Sequence, residues 1–437
     1  MAMVKAFRGL RYCDNAGKLE ELCCPPYDII SEKERKELLD RNPHNIIRLE
    51  LPTSYKDDEE SKDMAAYDEA GKIVSDWVNK GILADDNEEN IYVYEFSFEY
   101  EGRKLAVKGF VALVKLEEFS ANIILPHEET LSKAKTDRFN LMTATGCNFS
   151  QIYSLYTDTN NEILGLLGKA TLGAPTMQFT DRDDVTHKLW KVADADVIAK
   201  ITVLMSDKQV FIADGHHRYE TALNYYKSVK DKDDIGTSGF VPMMLVSMEN
   251  PGLAVFPTHR LVRGLSNFNY SDLIAKSAEY FNIIENLSRE ESLSLSSDAC
   301  ENGKSAFVLY QGAVSGTGDD YALMILKDKG VMKDILPDEH DSLRNLDVSI
   351  LHSLVLERLF GIDKENMASQ ANLTYIKTAD DAVNAVDEKR GNCCFLLNAT
   401  KVSEIRDVSL AGGKMPQKST YFYPKLTTGL VMNRIFK

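Results

Sequence analysis

The 437-residue sequence predicts a mixed α/β (α+β) protein with more than one domain. Three observations predict it. Strand-patterned and helix-patterned segments alternate along the chain. One long stretch, IYVYEFSFEYEGRKLAVKGFVALVKL, reads as a hairpin turning at Glu101-Gly102. A buried-type strand, VFIAD, passes through one glycine into a helix, HHRYETAL. The order of elements suggests three regions: a small α/β region over 1–118, a central domain over 119–265 and a C-terminal α/β domain over 266–437.

In the first region Pro25-Pro26 forces an extended, ordered turn before Tyr27 and Asp28. SEKERKELLDRN is a helix, with Ser31 as N-cap and Glu34 at the capping-box position. IIRLELP reads as a strand. SKDMAAYDEAGKIVSDWVNKG reads as an amphipathic helix with Met64, Tyr67, Ile73, Val74 and Trp77 on its apolar side and Gly81 as its stop. In the central domain QIYSLYT, THKLWKV, QVFIADG, GFVPMMLVSME and AVFPTHRLV are strands. NEILGLLGKA, DADVIAKITVLMSD and HHRYETALNYYKSVK are helices, and another covers most of SDLIAKSAEYFN. Further on, SAFVLYQG, YALMILKD, TYIKT and NCCFLLN are strands. SILHSLVLERLFG, ADDAVNAVDEKRG and VSEIRDVSLAGG are helices, the last stopped by Gly412-Gly413. The tail KMPQKSTYFYPKL reads as irregular.

The formal net charge of −16 argues against a general nucleic-acid binder, which needs a basic face. It leaves room for a local basic pocket that takes a phosphate. No apolar run approaches the roughly 20 residues of a membrane helix, and the first residues lack a signal-peptide pattern. A cytoplasmic protein acting on a small molecule is the expectation. The seven cysteines, with no Cys-x-x-Cys, suggest free thiols, with Cys393-Cys394 buried in a strand.

The segment FIADGHHRYETAL carries the chemistry. Free N–H groups at the start of a helix, with the positive end of its dipole behind them, make a ready anion site. Gly215 allows close approach to the backbone, and Arg218 adds a fixed charge with a bidentate fork. A histidine at this point is held towards its neutral form and can donate to a phosphate oxygen. A metal site is a competing reading, with Asp214, His216 and Glu220 as ligands of a hydrolase. In a third reading Asp214 caps the helix and nothing binds.

The run Asp214-Gly215-His216-His217-Arg218, followed by Ala222, resembles the phosphate motif of the ParB/sulfiredoxin superfamily. It is most similar to the Asp-Gly-His-His-Arg of free serine kinases. FRGLRY, CPPYD, Asn42-Pro43, HEET with its following K and DR, ADGHHR, LDVSILH and MPQKSTYFYPKL, in this order, resemble the family known as domain of unknown function 1015. The resemblance implies a ParB/sulfiredoxin-like central domain in which Gly215, His216, His217 and Arg218 cradle nucleotide phosphates. It implies ATP or ADP as nucleotide and Mg²⁺ held with help from Asp214. His216 stands where sulfiredoxins carry cysteine, which speaks against sulfinic-acid repair.

Phosphoryl transfer to a hydroxyl also needs a base. Pro126-His127-Glu128 is similar in form to the Pro-x-Glu setting of the superfamily's catalytic glutamate, so Glu128 is the expected base, with His217 beside the reacting phosphate. Tyr27, Asp28, Lys135 and Arg138 are expected to bind substrate. Lys418, Ser419, Thr420 and Lys425 offer further donors to an anion, and His352 reads as a packed core histidine. The function expected is nucleotide-dependent phosphotransfer to a small hydroxylated metabolite, possibly free L-serine. The alternatives are an ATP- or CTP-binding regulator and the metal-dependent hydrolase.

Overall fold

The structure, a computed structural model, describes residues 1–53, 64–100, 102–130, 132–313 and 320–436. Its contacts group into two compact units. The first comprises 1–126, 130–254 and 424–437; the second comprises 127–129 and 255–423.

The first unit is built on a nine-stranded mixed sheet. Its strands are β1 (Val4–Lys5), β2 (Ile91–Tyr100), β3 (Arg103–Lys115), β4 (Ile124–Leu125), β5 (Ile152–Tyr156), β6 (Met177–Thr180), β7 (Thr186–Val192), β8 (Val210–Asp214) and β9 (Phe240–Ser247). The order across the sheet is β4-β8-β5-β9-β3-β2-β7-β6, with β1 added on β3. Most neighbours are antiparallel, but β8 runs parallel to β4 and β9 parallel to β5. The sheet takes strands from both sides of residue 118, so the first two expected regions share one sheet. The hairpin of β2 and β3 forms as expected, with Tyr100 opposite Arg103; Glu101 lies outside the described residues.

Five expected helices form in this unit. Helix α1 (Glu32–Arg41) opens on the full Ser31–Glu34 capping box. Helix α2 (Met64–Asn79) buries Tyr67, Ala70, Val74 and Trp77, while Met64 is exposed. The expected start of α2 at Ser61 lies outside the described residues. Helix α3 (Ser132–Thr145), which the sequence reading did not anticipate, packs beside the helix His216–Val229. Helices α4 (Glu162–Ala170) and α5 (Ala195–Met205) complete the layer, α5 capped by Asp194.

IIRLELP is not a strand. Ile47–Glu50 is one helical turn, and Ile47, Leu49 and Glu50 are all buried. The alternation of apolar residues suggested a half-buried strand, but both faces of this turn are enclosed, so period-two patterning misled.

The second unit has a six-stranded sheet, antiparallel throughout. Its strands are β10 (His259–Val262), β11 (Phe281–Leu287), β12 (Ala306–Tyr310), β13 (Tyr321–Leu326), β14 (Leu373–Ile376) and β15 (Cys393–Leu397), in the order β11-β13-β12-β15-β10-β14. Strand-helix alternation here builds an α+β layer rather than a parallel sheet. Helices α7 (Tyr270–Ser277), α8 (Arg289–Glu301), α10 (Ala379–Asp387) and α11 (Val402–Leu410) accompany it. Strand β11 and helix α8 were not anticipated. Their serine- and asparagine-rich segments give little periodic signal. The apolar SILHSLVLERLF segment is helix α9, which starts at Asp347–Ile350 and continues as π-type helix over Leu351–Leu359.

Cys393 and Cys394 are buried within β15, and all seven cysteines are free. Among the described residues no helix is long and apolar enough to cross a membrane.

Candidate functional site

Strand β8 is fully buried from Val210 to Ala213 because VFIA offers only apolar side chains to the layers on either side. Its pairing with β5 shifts between Ile212 and Asp214, which sets Asp214 opposite Tyr153. Gly215 then adopts φ +96° and α6 (His216–Val229) begins. A side chain at 215 would be strained by that φ, and its Cβ would meet the Arg218 guanidinium at 2.9 Å. Tyr219, Ala222, Leu223 and Tyr225 fix α6 onto the core. Gly215 at the N-cap position offers no side-chain acceptor to the first turn, whose N–H groups lie at the positive end of the helix dipole.

The motif side chains divide into two sets. His216 is buried and His217 half-buried. Asp214 and Arg218 turn back onto the strand. Arg218 donates from Nη2 to Asp214 Oδ2 at 2.8 Å and from Nη1 to the Gln151 carbonyl at 2.5 Å. Lys425 donates from Nζ to the other oxygen, Asp214 Oδ1. One of the tail lysines singled out in the sequence is thus brought to the motif. The buried Tyr153 phenol stands next to this carboxylate. Burial first, and then the Asp214 charge, raise its pKa.

A second ionic group adjoins the first. Arg138 on α3 donates to Asp137 from Nε and Nη2 at 2.7 and 2.5 Å, and to the Glu50 carbonyl from Nη1 at 2.6 Å. Its charge lies 3.5 Å from the Glu50 carboxylate, and its guanidinium sits 4.1 Å from the centre of the Tyr27 ring. Tyr67 donates to Asp137 at 2.6 Å. Burial works against the Arg138 charge, but Asp137 and then Glu50 outweigh it, and the guanidinium is held above its ordinary pKa. Burial raises the Glu50 carboxyl, with Arg138 and Arg218 opposing. Glu50, Arg138, Ser150, Arg218 and Thr221 line one small cavity of about 50 Å³. The ions therefore alternate in sign through the unit: Asp137, Arg138, Glu50, Arg218, Asp214, Lys425.

Lys135 does not stand open to a ligand. Its Nζ donates to Glu220 on α6 at 2.8 Å, and Thr130 donates to the same carboxylate oxygen at 2.8 Å. Tyr27 joins the Arg138 group, whereas Asp28 is exposed. Asp214, His216 and Glu220 do not gather as metal ligands. Among the described residues no three His, Cys, Asp or Glu side chains are placed to hold an ion, and the Asp214 and Glu220 carboxylates are taken up by lysine and arginine. Glu128 belongs to the second unit, half-buried, with its Oε1 4.0 Å from His127 Nε2. His352 is buried there, as expected.

Sequence reasoning missed Glu50, Tyr67 and Gln151. Glu50 was hidden in the segment read as a strand, and Tyr67 looked like an ordinary member of an apolar face. Gln151 acts through its backbone carbonyl, which leaves no trace in residue type.

The strand, the left-handed glycine and the helix that follows, set among buried ion pairs, belong to a mixed α/β protein. A family model described as "Protein of unknown function (DUF1015)" matches residues 4–349, and the chain belongs to that family. No curated protein sequence matches it. Among solved structures it is similar to free serine kinase in complex with AMP, at 14% identity and TM-score 0.34, covering 70% of this chain and 85% of that one. It is also similar to a conserved hypothetical protein from Pyrococcus furiosus, at 15% identity and TM-score 0.33, covering 71% and 90%. A third is C-terminally truncated SbnI from Staphylococcus aureus, at 10% identity and TM-score 0.34, covering 74% and 86%. At such identities and TM-scores these likenesses transfer no function.

Proposed function

We propose that the first unit binds the phosphates of a nucleotide at the N-terminus of α6 and that the protein transfers a phosphoryl group to a small hydroxylated metabolite. The observation that carries this reading is the helix start behind the left-handed Gly215, with Arg218 and Lys425 both drawn to its edge by Asp214. Phosphate oxygens would take over the hydrogen bonds these two cations now give to Asp214, as charge-assisted contacts of the same kind. Asp214 would then be free to help hold a magnesium ion on the phosphates, which needs only one or two protein carboxylates. His217, half-buried at the first turn, would donate to a phosphate oxygen, and buried His216 would shape the turn. Free serine is the first acceptor to screen, on the resemblance of the Asp-Gly-His-His-Arg run. Glu128 is the candidate base on its sequence setting.

Calorimetric titration of ATP, ADP and CTP with Mg²⁺ into the full chain tests the reading. Arg218→Ala and Lys425→Gln should each weaken nucleotide binding by about 10- to 100-fold, the value of a charge-assisted hydrogen bond. Glu128→Gln should keep nucleotide affinity and lose product. A wild-type protein that binds no nucleotide with or without Mg²⁺ overturns the proposal.

A further inference from the structure

The second unit contains a cavity of about 660 Å³, within the range that encloses small organic ligands. Three segments noted in the sequence but unused by the phosphate chemistry converge on it. They are Glu129 of HEET, Ser349 and His352 of LDVSILH, and Gly412–Gln417 ahead of the tail.

The lining divides by burial. Ser349 is 2% exposed and His352 5% exposed. Behind them Arg260 is fully buried, and among the described residues no carboxylate pairs with it. It donates from Nε to His352 Nε2 at 3.1 Å, gives its other bonds to the Thr258 and Lys418 carbonyls, and lies 4.8 Å from the centre of the Tyr375 ring. Because arginine Nε always carries hydrogen, His352 Nε2 must accept, so the ring is neutral and its hydrogen sits on Nδ1. Burial and then the Arg260 charge hold this imidazole well below its usual pKa. Among the described residues the Ser349 hydroxyl has no hydrogen-bond partner, and Ser349 lines the cavity. The lining thus supplies two donors, one of them bonded to a positive charge that no carboxylate among the described residues neutralises. Helix α9, which supplies both, is π-type from Leu351 onward, with Phe360 N–H donating to the Val355 carbonyl. Such segments are rare and frequent at functional sites.

Leu343, Met367 and Met415 add a buried apolar lining. The more exposed lining is an acidic rim of Glu129, Glu339, Glu357 and Glu365, against Lys364 and Lys414. Among the described residues none of these four carboxylates has a cation within ion-pair distance. A simple anion would be repelled by that rim, and a simple cation would meet Arg260 inside.

We infer that this cavity is a ligand site for a small zwitterion with an apolar body, its carboxylate received by Ser349 and His352 in front of Arg260 and its ammonium group by the acidic rim. The inference stands apart from the nucleotide reading, because it rests on the second unit alone.

Three probes that share one apolar body separate the contributions: phenylalanine, 3-phenylpropionate and phenethylamine, titrated calorimetrically into the full chain. Phenylalanine should bind, and each single-charge analogue should bind at least tenfold more weakly. Ser349→Ala should weaken phenylalanine and 3-phenylpropionate several-fold and leave phenethylamine unchanged. Glu357→Gln should show the opposite selectivity. The inference is overturned if none of the probes binds, if phenethylamine binds as tightly as phenylalanine, or if both variants leave every affinity unchanged.

Discussion

Replacing Arg138 with methionine keeps most of the side-chain volume and removes the charge at the centre of the buried ion chain. The side chain is 5% exposed, and those of Asp137 and Glu50 are 0% and 3% exposed. Substitution removes three hydrogen bonds of 2.5 to 2.7 Å at once. It leaves Asp137 with the Tyr67 hydroxyl and Glu50 with the Ser150 hydroxyl at 3.3 Å. Breaking a buried ion pair from one side costs about 3–5 kcal/mol, because the remaining charge stays desolvated. For a unit of this size that is a fall in Tm of roughly 5–10 °C. The loss has a definite pH sign. Burial already raises the Glu50 carboxyl against the pull of Arg138, and without that arginine it is raised further, so the variant regains stability as pH falls from 7.5 towards 5. Adding Asp137→Asn to Arg138→Met should restore much of the loss, which a packing defect would not allow. Calorimetric melting of the single and double variants at both pH values decides the matter. A loss below about 1 kcal/mol, or one indifferent to pH and to Asp137→Asn, refutes the idea that this arginine holds the first unit together electrostatically.

Three further outcomes are expected. Gly215→Ala, placing a Cβ at φ +96° and 2.9 Å from the Arg218 guanidinium, should cost about 1–3 kcal/mol in chemical unfolding and abolish nucleotide binding. In the second unit, burial raises the Asp347 carboxyl to about 6. The protonated form is therefore favoured by folding, and the stability it brings is complete below about pH 4 and lost as pH rises through 6. Asp347→Asn should accordingly melt higher than wild type at pH 7.5 and no higher at pH 4. His259 has the opposite sign. Burial lowers its pKa to about 4, with Arg260 adding to the effect. Its Nδ1 accepts the Leu397 N–H at 3.2 Å. Stability is complete above about 6.5 and falls as pH drops towards 4, so His259→Gln should flatten the wild-type melting profile in that window.

Much of the fold was legible where local chemistry acts alone. The Ser31–Glu34 box, the β2–β3 hairpin and the β8–Gly215–α6 junction each follow from a few adjacent residues. Pairing between distant segments was not legible. Sequence placed Arg138 and Lys135 as ligand contacts because unpaired cations near a motif look available. Asp137 is the neighbour of Arg138 in the sequence, but Glu50 for Arg138 and Glu220 for Lys135 become partners only when α3 packs against the Ile47–Glu50 turn and α6. Lys425 shows the reverse case. Its residue type marked it as an anion donor, and its anion within the protein is Asp214, more than two hundred residues earlier. Glu50 was hidden because an isolated helical turn enclosed on all sides has no period to read.

The return of residues 424–437 to the first unit has a consequence for synthesis. Asn433–Arg434 pairs with Cys147–Asn148, Met432 bridges Leu10, Thr428 bridges Cys24, and Lys425 reaches Asp214. A ribosome delivers the Asp-Gly-His-His-Arg turn early, but the lysine that completes its charge balance emerges only after the whole second unit has been translated. The nascent first unit therefore has every strand of its nine-stranded sheet but lacks the Lys425 contact to Asp214. Its last step of assembly is the docking of a short strand rather than the folding of a domain.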